Sequence, residues 1–432
     1  MSTTRDGCAT RRWRARQPQR TVVETCISPL ISTGETPMTE YKAAVIGCGR
    51  MARGHMQAYK ELGIPIAAGA DISEDALKAF AEETGAEGLF TDYKEMLAEI
   101  QPDLVSVVTH DALHCEMVVA AAQAGTKGIV CEKPMAMDLT EADEMLAACL
   151  ASGSWLTISH QRHYMPQYVR ARELIAEGAI GRVVSAEASL KAGCLMTDGT
   201  HTIHMLLALL GEPEVDHLLG QVDGHEGYEY YGHRCENAGI AFLAFTNQVR
   251  ASMVWGWMAR SPAFDGRIRR QHSLDPSWND EIHRYHHFII HGDEGRLELY
   301  GDVFRSADLL NAPALRIYRG SEVEEIKIEW PAPVSAIGLE IKDLIGTIET
   351  GAPHPLDGEN GRKVTEVMIG IYESARRRSV IKFPVEVGDN PFLAMCDTGD
   401  FPPQGDETGR YVSPNVRERW RDRSETENGK GA

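Results

Sequence analysis

The stretch Val45-Ile46-Gly47-Cys48-Gly49-Arg50-Met51-Ala52 constrains this chain most, because it prescribes a strand, a tight turn and a helix in quick succession. Gly47 permits the turn, Gly49 lets a pyrophosphate approach the backbone, and the small Ala52 lets the helix pack closely on the strand. The N-terminus of that helix then offers free N–H groups and a partial positive charge to the phosphates. Such glycines alone also serve ordinary turns. Here they follow an apolar run and open a helical pattern, and Asp71 stands after the next apolar run, near the ~20-residue spacing of a ribose-binding acid. A carboxylate there accepts hydrogen bonds from both ribose hydroxyls. It repels a 2′-phosphate by on the order of several kcal/mol at ~5 Å and an effective dielectric of about 20. The expected cofactor is therefore NAD rather than NADP, held by Gly47, Cys48, Gly49, Arg50, Met51 and Asp71.

From Tyr41 short apolar runs alternate with helical segments: Ala43 to Ile46, Met51 to Leu62, Ile66 to Ala70 and Glu74 to Glu83. The rhythm continues through Tyr93 to Glu99, Leu104 to Val108, His114 to Ala124, Ile129 to Cys131, Asp138 to Leu150 and Trp155 to Ser159. It predicts an α/β domain, a Rossmann doubly wound parallel sheet. Pro166 and Gly178 bracket a bridging helix over about Gln167 to Glu177. From Val183 the runs Ala238 to Phe245, Val249 to Trp255, Phe288 to His291 and Arg296 to Tyr300 are β-like and separated by Gly, Asn and Asp. They predict an α+β domain with an open, mostly antiparallel or mixed sheet covered on one face. Helices are expected at Thr200 to Leu210 and at about Ala336 to Glu349. The expected plan is a disordered extension over 1–37 with Met38 as a natural start, an NAD-binding domain over 38–160, a substrate-binding and oligomerisation domain over 161–385, and a polar tail over 386–432.

Composition narrows the function classes. The 432 residues, 43% hydrophobic and 25% charged, describe a soluble globular chain, and no run approaches the ~20 apolar residues of a membrane span. A formal net charge of -19 opposes phosphate backbones, so nucleic acid is not expected as a partner. The nine cysteines are scattered without a CxxC pair and read as reduced, buried thiols. The arginine-rich start lacks the apolar region of a secretory signal, which leaves a cytoplasmic protein as the expectation.

Cys131-Glu132-Lys133-Pro134 follows a predicted strand at the carboxyl edge, where open α/β sheets bind ligands. A lysine there stands beside the nicotinamide, and its ammonium lowers the pKa of a nearby alcohol. With this motif go Thr109 to His114, Gln161-Arg162-His163-Tyr164-Met165-Pro166, Gly178-Ala179-Ile180-Gly181, Gly199 to His201, Gly292 to Leu299 and Glu373-Ser374-Ala375. As a set they make the chain from Tyr41 to Pro384 resemble the Gfo/Idh/MocA family of sugar and cyclitol oxidoreductases.

The resemblance implies hydride transfer between NAD and a secondary hydroxyl of a sugar, cyclitol or glycoside, by a homo-oligomer, commonly a dimer or tetramer. It implies that Lys133 contacts the substrate hydroxyl and the nicotinamide ribose, after which the Lys133-Pro134 peptide is cis. Thr109, His110 and His114 are implied to border the cofactor, Glu132 to fix the pocket backbone, and Arg162 to lie near the substrate channel. His201 becomes the base that takes the alcohol proton, with an ordinary pKa of about 6.5. The family's Asp-x3-His-x3-Asp motif reads here as Thr197, His201 and His204, so both aspartates are replaced. Asp198, shifted by one residue, has three open readings: orienting His201, binding substrate, or capping the helix. His204 either contacts a substrate hydroxyl or stands in for the missing acid, and Trp255 or Trp257 is expected to stack on the sugar ring. His283, His286 and His287 beside Asp280 and Glu281 read as loop or sheet-face residues, and no metal is expected. Two rival readings stay open: redox-neutral glycoside cleavage through transient oxidation, and a non-catalytic NAD-binding regulator.

Overall fold

The computed structural model describes residues 20–25, 40–190, 193–224, 228–230, 233–259, 286–301, 314–328 and 334–400. Six parallel strands form the first sheet in the spatial order Gly88–Phe90, Ile66–Ala70, Ala43–Ile46, Leu104–Val107, Gly128–Cys131, Trp155–Ile158. The chain reverses direction of winding between Ala43–Ile46 and Leu104–Val107, and that switch point opens a crevice at the carboxyl ends of the strands. The central strands are buried on both faces, as a parallel sheet covered by helices requires. Ser73, Asp92 and Asp138 cap the N-termini of Glu74–Thr84, Tyr93–Ile100 and Leu139–Ser152 with their side chains. The helix after the glycine turn, Ala52–Leu62, has no such side-chain cap.

The second sheet is mixed and ten-stranded, running Arg20–Thr25, Glu322–Ile328, Leu315–Arg319, Arg296–Tyr300, His286–Gly292, Val183–Leu190, Arg250–Gly256, Ala238–Phe245, Val215–Asp223, Ile381–Lys382. Two of its pairings are parallel, Arg20–Thr25 with Glu322–Ile328 and Val183–Leu190 with Arg250–Gly256. Helices Pro166–Ala176, Thr200–Leu209 and Gly358–Arg377 share one hydrophobic core with the inner face of the sheet. On the outer face Leu219 and Phe242 are 41% and 54% exposed, and Phe242 lies directly opposite Leu219 across the strand pair.

Three features differ from the plan drawn from the sequence. Arg20–Thr25, inside the supposed extension, is a strand at the sheet edge, favoured by the β-branched run Thr21-Val22-Val23. Residues 391–398, inside the supposed tail, form helix Pro391–Thr398, whose Phe392, Met395 and Cys396 enter the core of the second domain. Asn390 caps it through Phe392 N–H and Leu393 N–H, at 3.1 and 3.2 Å. Helix Ala336–Thr350, assigned by position to the second domain, packs instead on the first, where Ile341, Leu344 and Ile345 join the core beneath Ala52–Leu62.

Candidate active site

The glycine turn sits at the carboxyl end of Ala43–Ile46. Gly47 has φ +90°, and a Cβ there would come within 2.4 Å of the Val108 carbonyl oxygen, so only glycine fits. A Cβ on Gly49 would meet nothing within 4 Å, which leaves the approach to that backbone open. Asp71 accepts from Cys48 N–H at 2.8 Å and Ser73 N–H at 2.9 Å, tying the acid to the turn. Cys48 is buried, and burial followed by the Asp71 charge pushes its thiol up to about 12, so it acts as packing. Arg50 and Met51 are exposed at the turn. An uncapped helix N-terminus, an open glycine and an acid beside the turn fit a dinucleotide.

Thr109 and His110 lie half-buried where the chain leaves the neighbouring strand, with the Thr109 methyl against the Gly47 turn. His114 is buried and bridges two loops, its Nδ1 2.8 Å from the Pro134 carbonyl and its Nε2 3.2 Å from the Thr109 carbonyl. The Lys133-Pro134 peptide is cis. Glu132 is buried behind it, 3.3 Å from His55 Nε2, and accepts from Lys133 N–H at 3.2 Å. Burial pushes Glu132 up, but the bond to His55 and the charges of His55 and Lys133 outweigh it and hold the carboxyl below its usual range. His55 in turn contacts Ser106, which bonds Tyr59, so the loop that carries Lys133 is backed by a hydrogen-bonded chain.

Lys133 Nζ donates to the Thr197 carbonyl at 3.4 Å and so reaches the second domain. Thr197 and Asp198 belong to a π-turn, Leu195–Gly199, that leads directly into Thr200–Leu209. The Thr197 hydroxyl bonds Cys194 N–H at 3.0 Å and the Cys194 carbonyl at 3.1 Å, so it closes the turn locally. Asp198 accepts from Arg162 Nη2 at 3.3 Å. Glu236 holds the start of the π-turn, accepting from Leu195 N–H at 2.6 Å, Trp255 Nε1 at 3.0 Å and Tyr372 OH at 2.9 Å. Burial raises this carboxyl to about 7 against those bonds.

His201 is buried in the first turn of Thr200–Leu209. Burial lowers its pKa well below the usual histidine range, and the charges of Arg162 and Lys133 lower it further. Like charges nearby make an imidazolium here unfavourable, so the neutral ring is the resting form. His160 meets His201 edge-on, with ring centroids 5.5 Å apart, and stacks on His204 at 4.8 Å. His204 Nε2 and His163 Nδ1 are hydrogen-bonded at 3.2 Å. The sequence reading missed His160 and His163 as members of this group. The signal was present in the spacing His160–His163 on one element and His201–His204 on the next, three residues apart in both.

The stacking role expected of Trp255 is not available: the ring is fully buried, bonded to Glu236, because it shares the inward parity of Ala251 and Met253 on its strand. Trp257 opens a short 3-10 turn just beyond that strand. His283, Asp280 and Glu281 lie outside the described residues, whereas His286 and His287 open a sheet strand and His287 bonds Glu298 at 3.1 Å. No group of three metal-type side chains with ligand geometry occurs among the described residues.

Residues 41–160 match the model of an oxidoreductase family with an NAD-binding Rossmann fold, and residues 172–385 match that family's C-terminal alpha/beta domain. The chain belongs to the Gfo/Idh/MocA oxidoreductase family. Within the family, a D-apiose dehydrogenase of Paraburkholderia graminis is 35% identical over 153 residues, 35% of this chain and 40% of that protein. The alignment thus spans less than half of that relative. A levoglucosan dehydrogenase of Pseudarthrobacter phenanthrenivorans is 24% identical over 406 residues, 80% of this chain and 99% of that protein. Among solved structures, an aldose-aldose oxidoreductase from Caulobacter crescentus complexed with glycerol has the same fold, with a TM-score of 0.64 at 20% identity over 79% of this chain and 99% of that one.

Proposed function

We propose that this family member is an NAD-dependent dehydrogenase that oxidises a secondary hydroxyl of a sugar, cyclitol or glycoside, or reduces the matching ketone. The observation that carries the reading is the meeting of Lys133 with the Thr197 carbonyl beside His201, where the carboxyl edge of the first sheet faces the second domain. Hydride acceptance is the chemistry the bound NAD supplies. Lys133 orients and polarises the hydroxyl, and His201, neutral at physiological pH, takes its proton. The Arg162–Asp198 pair offers donor and acceptor to further hydroxyls, which suits a polyol better than an apolar alcohol. The replaced aspartates fit the same reading, since Asp198 supplies a carboxylate one residue late and His204 is a buried neighbour.

NADH absorbance read while NAD is offered with D-apiose, levoglucosan and myo-inositol tests the proposal. Steady NADH formation from any of them supports it, and aglycone release from nitrophenyl glycosides without net NADH would favour the redox-neutral route. The open outer face around Leu219 and Phe242 supports a homo-oligomer, because exposed apolar side chains paired across a sheet face are normally covered. Light scattering on wild type and Phe242→Lys tests this, with dissociation expected in the variant. The seven described cysteines are all free and buried, which supports a reducing, cytoplasmic setting. No described helix is long and apolar enough to cross a membrane.

A further inference from the structure

His201 heads a file of four imidazoles. Beside it stands His160, then His204 stacked on His160, then His163 bonded to His204 and half-buried at the outer end. We propose that this file is a proton relay, which carries the proton taken up by His201 through His160 and His204 to His163 and on to solvent. The proposal rests on the reading of His201 as the base.

The need for export follows from the surroundings of His201. Arg162, Lys133, His160 and His286 are the charged or chargeable groups that weigh on it, and all disfavour an imidazolium. A ring that cannot keep its proton works as a base only if the proton moves on. The means of export follows from unpaired atoms. His201 Nδ1, His160 Nε2 and His204 Nδ1 are buried and have no hydrogen-bond partner among the described residues. Buried nitrogens of this kind are commonly satisfied by ordered water, which makes two to four hydrogen bonds to polar partners. The last link is direct. In the His163–His204 bond one ring must donate and the other accept, so the two tautomers are coupled, and a proton delivered to His204 releases one from the far nitrogen of His163.

The hydrogens balance: the alcohol gives a hydride to NAD and a proton to His201, every relay ring ends neutral, and one proton leaves per turnover. The outlet is built into the junction of three elements. Arg172 donates to the His163 carbonyl at 2.9 Å, Tyr164 OH donates to Asp343 at 2.8 Å, and Arg172, His204 and His354 are the charged or chargeable groups that act on the His163 ring. The cationic Arg172 favours release outward over retention.

Two variants separate a relay from a merely structural pair. Asn at position 163 mimics the Nδ1 side of the ring and keeps the bond to His204 but cannot pass a proton, whereas Ala leaves room for added imidazole. Both His163→Asn and His163→Ala are expected to lower kcat about tenfold or more with KM little changed, and imidazole is expected to restore only the alanine variant. Wild-type kcat in His163→Asn overturns the relay, as does an alanine variant that imidazole leaves slow. ¹⁵N-histidine NMR of the full chain at pH 7 gives a readout independent of turnover: all four rings neutral, with His163 and His204 in complementary tautomers. A charged ring among the four overturns the relay. His201→Ala distinguishes the two levels of the reading. If it retains full turnover the base assignment fails, whereas a dead His201→Ala beside an unaffected His163→Asn sinks the relay alone. No NADH from any of the three polyols overturns both.

Discussion

At position 197 a hydroxyl stands where the family motif has a carboxylate, and its bonds to Cys194 spend it on closing the π-turn. In the function proposed above, the chemistry then falls to Lys133 and His201. Lys133→Met is expected to lower kcat by about 10²–10⁴-fold, the ordinary size of a lost acid–base group, while NAD binding followed by fluorescence changes far less. Burial, then Arg162 and Lys133, depress the pKa of His201, and neutral imidazole is the active form. The acid limb of kcat/KM should therefore fall well below pH 6.5, and a limb near that value would argue against His201 as the base. Asp71→Ser removes both the repulsion of a 2′-phosphate and the bond to Cys48 N–H. Initial rates with both cofactors should show a weaker NAD KM and newly measurable NADP turnover.

At the scale of elements, the cap of helix Pro391–Thr398 does more than begin a helix. Asn390 Nδ2 donates to the Met137 carbonyl at 2.9 Å and touches Met196 Sδ at 3.4 Å, so one side chain joins the loop after Lys133-Pro134 to the π-turn. Asn390→Ala should cost about 1–2 kcal/mol from the lost cap, read as a lower midpoint in urea melts, whereas Asn390→Ser should recover most of it. The elements of the first domain were legible in the sequence because buried parallel strands are continuous apolar runs: Ala43–Ile46 and Ile66–Ala70 were bounded correctly. Gly88–Phe90 was not legible, being three half-exposed residues at a sheet edge. Helix Pro391–Thr398 was hidden by its polar flanks and by the proline that starts it. Lys133 and His201 stand in motifs that the sequence alone picks out. His160 and His163 carried only the weaker signal of a matching three-residue spacing, and their grouping needed the helix Thr200–Leu209 to pack beside them.

For the whole molecule, buried titratable groups set an expected pH optimum of stability. Burial depresses His160, His201 and His354, and takes His163 to about 2 and His204 to about 3, so below pH ~6.5 the unfolded chain binds protons that the folded chain refuses. Burial raises Glu212, and takes Glu236 to about 7 and Glu340 to about 8, so above pH ~4.5 the folded chain keeps protons that the unfolded chain releases. Between these limits five rings oppose three carboxyls, and stability should rise with pH. Above ~6.5 the rings fall silent while Glu236 and Glu340 still hold their protons, and stability should decline towards pH 8. Urea melts across pH 5–8 are expected to peak near about pH 6.5, and a monotonic rise to pH 8 would contradict the assignment.

Helix Ala336–Thr350 has a consequence for synthesis. Its Ile341, Leu344 and Ile345 complete the core under the nucleotide-binding sheet, yet they emerge nearly two hundred residues after the last strand of that sheet. During translation the first domain therefore waits with an apolar face uncovered, a period in which chaperones or misassembly compete with folding. A nascent chain halted before Ser335 should bind hydrophobic dyes and resist protease less than one halted after Gly351.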